Sequence, residues 1–190
     1  MSSSKRWVLI TGVSEGGLGD ALTQEFLARD MNVIASSPDL SRLKYLQPLP
    51  GRLEYMQLDV TFPESISAAV SQVTRITGGK LDFLVNNAGY GYMMPLMDAS
   101  ISEVKRNYDV NVFGLLAVTQ AFFPLLRAAQ GMVVNQSSIA GLGAGYQPFI
   151  GSYSSSKAAV TALSNTMRVE LTPFGVRVCL LSDDCLDLTG

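Results

Sequence analysis

Trp7-Val8-Leu9-Ile10-Thr11-Gly12-Val13-Ser14-Glu15-Gly16-Gly17-Leu18-Gly19 sets the fold class. Trp7 to Thr11 is a continuous apolar run of strand length, the pattern of a strand buried on both faces. The glycines that follow allow a tight turn and a close approach of the backbone. From Asp20 to Arg29 the periodicity becomes helical, with Leu22, Phe26 and Leu27 on one face. Strand, glycine turn and helix in this order place a pyrophosphate on the N–H groups of a helix N-terminus. A flexible surface turn is the plainer reading of the same glycines. Gly12-Val13-Ser14-Glu15-Gly16 also matches a nucleophile elbow, but that mechanism needs a histidine base and the chain has no histidine. The same lack removes Ser-His-Asp and Cys-His catalysis and His-ligated metal sites.

The strand–helix alternation continues outward from this unit. Asn32 to Ser36 reads as a second strand, Leu53 to Leu58 as a third, Leu81 to Val85 as a fourth, Met132 to Asn135 as a fifth and Val176 to Leu181 as a sixth. Between them lie helical stretches. Pro63 and Glu64 open one that Gly78-Gly79 ends near Thr77. Ser102 to about Arg127 is helical with a join expected near Asn111, and Ser152 to about Leu171 is a further helix. Asp39 is placed to cap a helix starting near Leu40. Alternating strands and helices predict an α/β fold, a doubly wound parallel sheet of about six strands with helices on both faces. Length fits a single domain, 1–190, with no internal repeat or linker.

Composition narrows the class. The chain is 47% hydrophobic and 16% charged, with a net charge of −2, so it is neither disordered nor a nucleic-acid binder by charge. Val112 to Ala129 is the longest apolar stretch. Gly114, Thr119, Gln120, Pro124 and Arg127 interrupt it, which suits a buried helix or subunit face and not a membrane span. No leader-like segment is read in Met1 to Arg6. Cys179 and Cys185 lack metal or redox spacing, so reduced thiols and a cytoplasmic location are expected.

Chemistry concentrates in Ser152-Tyr153-Ser154-Ser155-Ser156-Lys157, with Ser137-Ser138 upstream. Tyr153 and Lys157 are four apart and share a helix face. A phenol titrates near pH ~10, and a fixed ammonium beside it favours the phenolate. Such a pair can give or take a proton at a substrate oxygen that a serine hydroxyl holds. The plainer alternative is a surface helix on which the two side chains only pack together.

Taken together, these motifs resemble a classical short-chain dehydrogenase/reductase. The residues that carry the resemblance are Thr11-Gly12-x3-Gly16-Gly17-Leu18-Gly19, Asp59-Val60, Asn86-Asn87-Ala88-Gly89, Asn111, Ser138 and Tyr153-x3-Lys157, in the family's order from about Trp7 to Val178. The wording around Ser14-Glu15-Gly16-Gly17 and Leu40-Ser41-Arg42-Leu43 is similar to fungal acyl-dihydroxyacetone-phosphate-reductase-like members. The resemblance implies a Rossmann-like fold and an NAD(P)-dependent carbonyl/alcohol oxidoreductase. Gly12, Ser14, Gly17, Leu18 and Gly19 would line the pyrophosphate. Ser37 would lie at the ribose, Asp59 and Val60 at the adenine, and Asn87, Ala88 and Gly89 along the cofactor. Tyr153 would be the acid-base, Lys157 its partner and a ribose ligand, Ser138 the orienter of the substrate oxygen and Asn111 the holder of a relay water. A homo-oligomer built on the apolar helices is implied, and no metal. Each position also has a structural reading: Asp59 capping a turn, Asn86 and Asn87 tying strand ends, Asn111 satisfying a helix break, and Ser137 competing with Ser138.

The sequence departs from the family's pattern in four places. The glycine loop holds one residue more than the commonest form. Ser37 and Pro38 stand where an Asp would select NAD or an Arg would select NADP. With Ser36, Ser37 and Arg42 able to receive a 2′-phosphate, NADP(H) is expected over NAD(H), and a cofactor-free reaction is the alternative. The segment from Ser138 to Tyr153 is about two residues longer than usual, around Gly141 to Gln147. Ser182-Asp183-Asp184 replaces a Pro-Gly turn, and the family's lid and seventh strand have no counterpart in these 190 residues, which would leave a sheet edge open. Two other functions therefore stay open: a non-redox isomerase, dehydratase or cyclase, and a non-catalytic binding protein.

Overall fold

The computed structural model describes residues 5–47, 51–142 and 147–182. The expectations for Asp183 and Asp184, for most of the Gly141–Gln147 insertion, and for Met1 to Ser4 fall outside the described residues.

Six strands form one parallel sheet: β1 (Trp7–Ile10), β2 (Asn32–Ser37), β3 (Leu53–Gln57), β4 (Phe83–Asn86), β5 (Met132–Gln136) and β6 (Arg177–Leu181), in the order β3-β2-β1-β4-β5-β6. Every neighbouring pair is parallel. The helices are α1 (Leu18–Ala28), α2 (Pro63–Thr77), α3 (Ile101–Tyr108), α4 (Leu115–Ala129) and α5 (Gly151–Leu171). This is the Rossmann-like α/β arrangement expected.

The apolar run in β1 has a direct cause. Leu9 belongs to a core shared with Phe122 of α4, Val73 of α2 and Val160 of α5. Val8 and Ile10 point to the opposite face, into a second core with Leu27 of α1 and Leu43. Both faces of the strand are covered, so alternation disappears. The run Ile101–Ala129 is long and apolar enough to cross a bilayer by composition, but Val118, Phe122 and Leu126 of α4 are buried in the first core.

Most element ends fall within one or two residues of the sequence reading, and two of the shifts have a clear local reason. Helix α1 begins at Leu18, two residues early, because the Gly17 carbonyl already accepts the N–H groups of Asp20 and Ala21. Strand β4 begins at Phe83 and not at Leu81, whose N–H donates to the Leu125 carbonyl instead of the ladder. The join near Asn111 is a π-helical segment, Asp109–Gly114, linking α3 to α4 without a break. At its end a side chain on Gly114 would lie 2.7 Å from Val60 Cγ2, so the close approach of this segment to the β3–α2 turn requires glycine. The helix expected near Leu40 is a short 3-10 turn, Leu40–Leu43, capped by Asp39.

Candidate active site

The chain leaves β1 toward β2 and β3, then crosses back to place β4 on the other side of β1. At such a switch point the loops after adjacent strands diverge and open a crevice beyond the strand ends. Its first wall is the glycine loop. Gly12 has φ +68°, and a Cβ there would lie 2.5 Å from Ala88 Cα. The loop is stitched to the turn after β4. Thr11 Oγ1 accepts from the N–H groups of Asn87 and Ala88 at 3.1 and 3.0 Å, and Asn87 Nδ2 donates to the carbonyls of Thr11 and Gly12 at 2.9 and 3.0 Å. Asn87 thus ties strand ends, as its structural reading has it, while also lining the crevice. No side chain caps α1 at Gly17, so the first-turn N–H groups keep their capacity for an anion.

A cavity of about 560 Å³ joins Gly12, Ser14, Gly17, Leu18 and Gly19 to Asn87, Gly89, Gln136, Tyr153 and Lys157. Lys157 is 3% exposed. Its Nζ donates to the Gln136 carbonyl at 2.8 Å and lies 5.7 Å from the centre of the Tyr153 ring. Asn111 and Ser138 are buried and do not line this cavity. Asn111 is nonetheless close, since a Cβ on Gly89 would lie 3.6 Å from its Oδ1 and 3.9 Å from Lys157 Nζ. Ser138 Oγ accepts the Ala140 N–H at 3.2 Å, which leaves the hydroxyl proton for another acceptor. Ser137 is committed elsewhere: its hydroxyl bonds the Lys157 carbonyl and Thr161 Oγ1. That difference favours Ser138 over Ser137 as the hydroxyl offered to a ligand.

A second cavity, about 530 Å³, brings together Ser37, Asp59, Val60, Ala88 and Arg42. Asp59 Oδ1 accepts both the N–H and the hydroxyl of Thr61, so its turn-capping role is real. Ser37 Oγ accepts the Asp39 N–H at 3.4 Å. Both Asp39 carboxylate oxygens are held by Ser41, and these hydrogen bonds, first from the side chain and then from the backbone, keep the carboxyl below its ordinary range. Arg42 also lines an adjoining cleft with Ser14, Ser41 and Lys44.

Sequence reasoning missed Tyr90, Asn107, Ser152 and Ser156. The Tyr90 peptide is clamped. Asn111 Oδ1 accepts its N–H at 2.7 Å, and the Nδ2 groups of Asn111 and Asn107 both donate to its carbonyl. Asn111 Nδ2 also donates to Ser156 Oγ at 2.9 Å, and Ser152 Oγ to Asn107 Oδ1 at 3.4 Å. Asn107/Asn111 and Ser152/Ser156 are each four apart, so two rungs join the α3–π segment to the helix carrying Tyr153 and Lys157. That repeated spacing was the available signal. The Tyr90 hydroxyl donates to Glu103, and this bond, with burial second, raises its phenol above the ordinary range.

Fold and crevice define the class: a doubly wound α/β protein of Rossmann type. The chain belongs to the short-chain dehydrogenase family, whose model, short chain dehydrogenase, matches residues 6–187. It is 46% identical over 174 residues to short-chain dehydrogenase PC-15 of Penicillium crustosum, covering 92% of this chain and 63% of that one. It is 38% identical over 177 residues to an NADPH-dependent 1-acyldihydroxyacetone phosphate reductase of Schizosaccharomyces pombe, covering 92% and 58%. Among solved structures it resembles an NADPH-bound carbonyl reductase from chicken fatty liver, with TM-score 0.85, 30% identity and coverage of 94% and 79%. The chain spans about six-tenths of the length of these two curated relatives.

Proposed function

We propose that the protein is an NADP(H)-dependent oxidoreductase that interconverts a carbonyl and an alcohol, with Tyr153 as acid-base. One observation carries the reading: Tyr153 and Lys157 line the same cavity as the uncapped, glycine-bordered N-terminus of α1. That N-terminus and the tight Gly12–Ala88 approach fit a dinucleotide, which would lie on Gly12, Ser14, Gly17, Leu18 and Gly19 and pass Asn87, Ala88 and Gly89. The bound nicotinamide supplies or takes the hydride.

This chain's residues handle the proton. In the reducing direction Tyr153 gives its phenolic proton to the substrate oxygen as that oxygen gains negative charge. The Lys157 ammonium, anchored on the Gln136 carbonyl, stands beside the phenolate this leaves. Ser138 donates to the substrate oxygen, and Asn111 holds the Tyr90 turn and Ser156 in place for a water-borne proton relay.

The NADP(H) preference rests on Ser37 and Arg42 at the ribose end and on the pinning of Asp39 by Ser41, which leaves that carboxylate poorly placed for ribose hydroxyls. The NADPH in the names of two relatives supports it. We propose further that two copies associate through apolar surface such as Phe113 and Val169, which are exposed, and that the protein works in the cytoplasm on a small carbonyl or alcohol substrate.

Calorimetric titration with NADPH and with NADH tests the reading. The expected result is micromolar binding, tighter for NADPH, lost in Gly17→Asp. No binding of either nucleotide up to millimolar concentration would overturn it and favour a cofactor-free reaction or a binding role.

A further inference from the structure

The substrate end of the crevice has a wall of unusual chemistry. From Tyr90 to Met97 the chain carries no charged residue. Its large apolar side chains stay on the surface: Met93 is 52% exposed, Leu96 60% and Met97 93%. Tyr92, Met93 and Ile150 line the cavity that holds Tyr153.

Phe149 completes this rim under strain. It has φ +73°, the left-handed region that a bulky L side chain adopts only when its surroundings hold it there, and its ring is 55% exposed. Its carbonyl accepts the Met94 N–H at 2.7 Å. Leu96 packs on Gly151, the first residue of α5, where a Cβ would lie 2.9 Å from its methyl carbons. The rim is thereby fixed to the start of the helix that carries Tyr153. Among the described residues lining the cavity, Lys157 is the one cation, and its ammonium is turned to the Gln136 carbonyl. Among the described residues of that lining at the substrate end, Tyr90 to Met93, Ile150 and Tyr153, none carries a positive charge.

We infer that the substrate is a carbonyl or alcohol compound with an uncharged, apolar body, which lies on Phe149, Met93, Met94 and Leu96 while its oxygen meets Tyr153. This rests on the oxidoreductase reading and narrows it. The occupant is chosen by continuity, since Met93 and Ile150, the chain neighbours of Met94 and Phe149, line the cavity that holds the acid-base. Methionine side chains adapt to differing shapes, so the body is selected for apolarity more than for outline. The substrate differs in this from the phosphate-bearing compound in the fission-yeast relative's name.

The test is a series of linear methyl ketones of increasing chain length, reduced with NADPH, with matched compounds ending in phosphate. We expect kcat/KM to rise by about two- to fourfold per methylene while the tail lies on the rim, and phosphate-ended compounds to be poorer than neutral ones of equal length. Phe149→Gly removes the strain, so the unfolding midpoint should hold or rise, while the long-to-short ratio of kcat/KM falls about tenfold. A flat series, a preference for phosphate, or an unchanged ratio in Phe149→Gly would overturn the inference. So would a change of oligomeric mass in that variant with the ratio intact, because the rim would then be an interface between copies. NADPH titration of the same sample separates the two readings: intact binding with a flat series sinks only the rim, whereas absent binding sinks both.

Discussion

Two alanine substitutions in the glycine loop separate backbone strain from steric collision. Gly12 and Gly16 share almost the same conformation, with φ +68° and +71°. Their surroundings differ. A Cβ on Gly16 meets nothing within 4 Å, whereas one on Gly12 lies 2.5 Å from Ala88 Cα, 2.9 Å from its Cβ and 3.0 Å from its N. The left-handed conformation alone costs an L residue about 1–2 kcal/mol, and Gly16→Ala should lose that much. Gly12→Ala carries the same strain plus the displacement of packed backbone, about 1–3 kcal/mol more, for a total of about 2–5 kcal/mol. At about 2–4 °C per kcal/mol for a chain of this size, the two unfolding midpoints should stand several degrees apart. Thermal unfolding followed by circular dichroism measures the midpoints and urea denaturation the free-energy losses, and equal urea slopes would confirm that the states compared are the same. Because Ala88 is bonded to Thr11 on the crevice wall, Gly12→Ala should also weaken NADPH binding more than Gly16→Ala does. Equal stability losses in the two variants would refute the packing argument and reduce the loop to a matter of φ alone.

Three further outcomes are expected. Tyr153→Phe should lower turnover by about 10²–10⁴-fold and leave NADPH affinity and the unfolding midpoint in place; surviving turnover would remove the acid-base role. Asn107→Ala strips one donor from the Tyr90 carbonyl and the acceptor from Ser152, and by the usual cost of an unmet buried polar group it should destabilise by about 1–3 kcal/mol. A midpoint within error of wild type would mean that this rung carries no stability. Burial, and then the carboxylates of Asp20 and Glu15, push the Tyr45 phenol up. Its contribution is therefore complete below about pH 10, where an unfolded phenol begins to ionise, and is lost as pH climbs further. Tyr45→Phe should show a shallower fall in stability across that alkaline range, and parallel curves for the two proteins would contradict the assignment.

The strands and the glycine loop were legible because their signals are local. The run Trp7-Val8-Leu9-Ile10 is buried on both faces, and its shortness and the glycine turn that soon follows mark it as strand. The Tyr153–Lys157 pair was legible because a four-residue spacing has one meaning on a helix. Boundaries were less so. Leu81 looks like strand, yet its N–H is taken by Leu125, forty-four residues away, and nothing near Leu81 announces that partner. Asn111 was readable as a join but not as a π segment, because one extra residue in a continuous helix leaves no gap in the apolar pattern, and the close approach of Gly114 to Val60 joins residues far apart in the chain. Asp39 and Asp59 show the opposite case: both carboxylates hold turns, as Asp two residues before a Ser or Thr suggests, and neither needs a ligand to explain its place. The rim at Phe149 was invisible, since a positive φ at phenylalanine follows from the Met94 bond and the Leu96–Gly151 contact and not from any residue preference.

The stitching of Thr11 to Asn87 and Ala88 has a consequence in time. Strand β1 finds its central partner, β4, some seventy-five residues later, and the Gly12 side of the glycine loop has its bonding partners, Asn87 and Ala88, only when that partner is present. A nascent chain with its first sixty residues outside the ribosome would own the glycine sequence without owning the cradle. A nucleotide would then meet only one wall of its crevice. The cell's pool of dinucleotide would reward assembly only after the fourth strand has docked, so a mutation that slows that docking would lengthen the interval in which the half-made sheet is open to other chains.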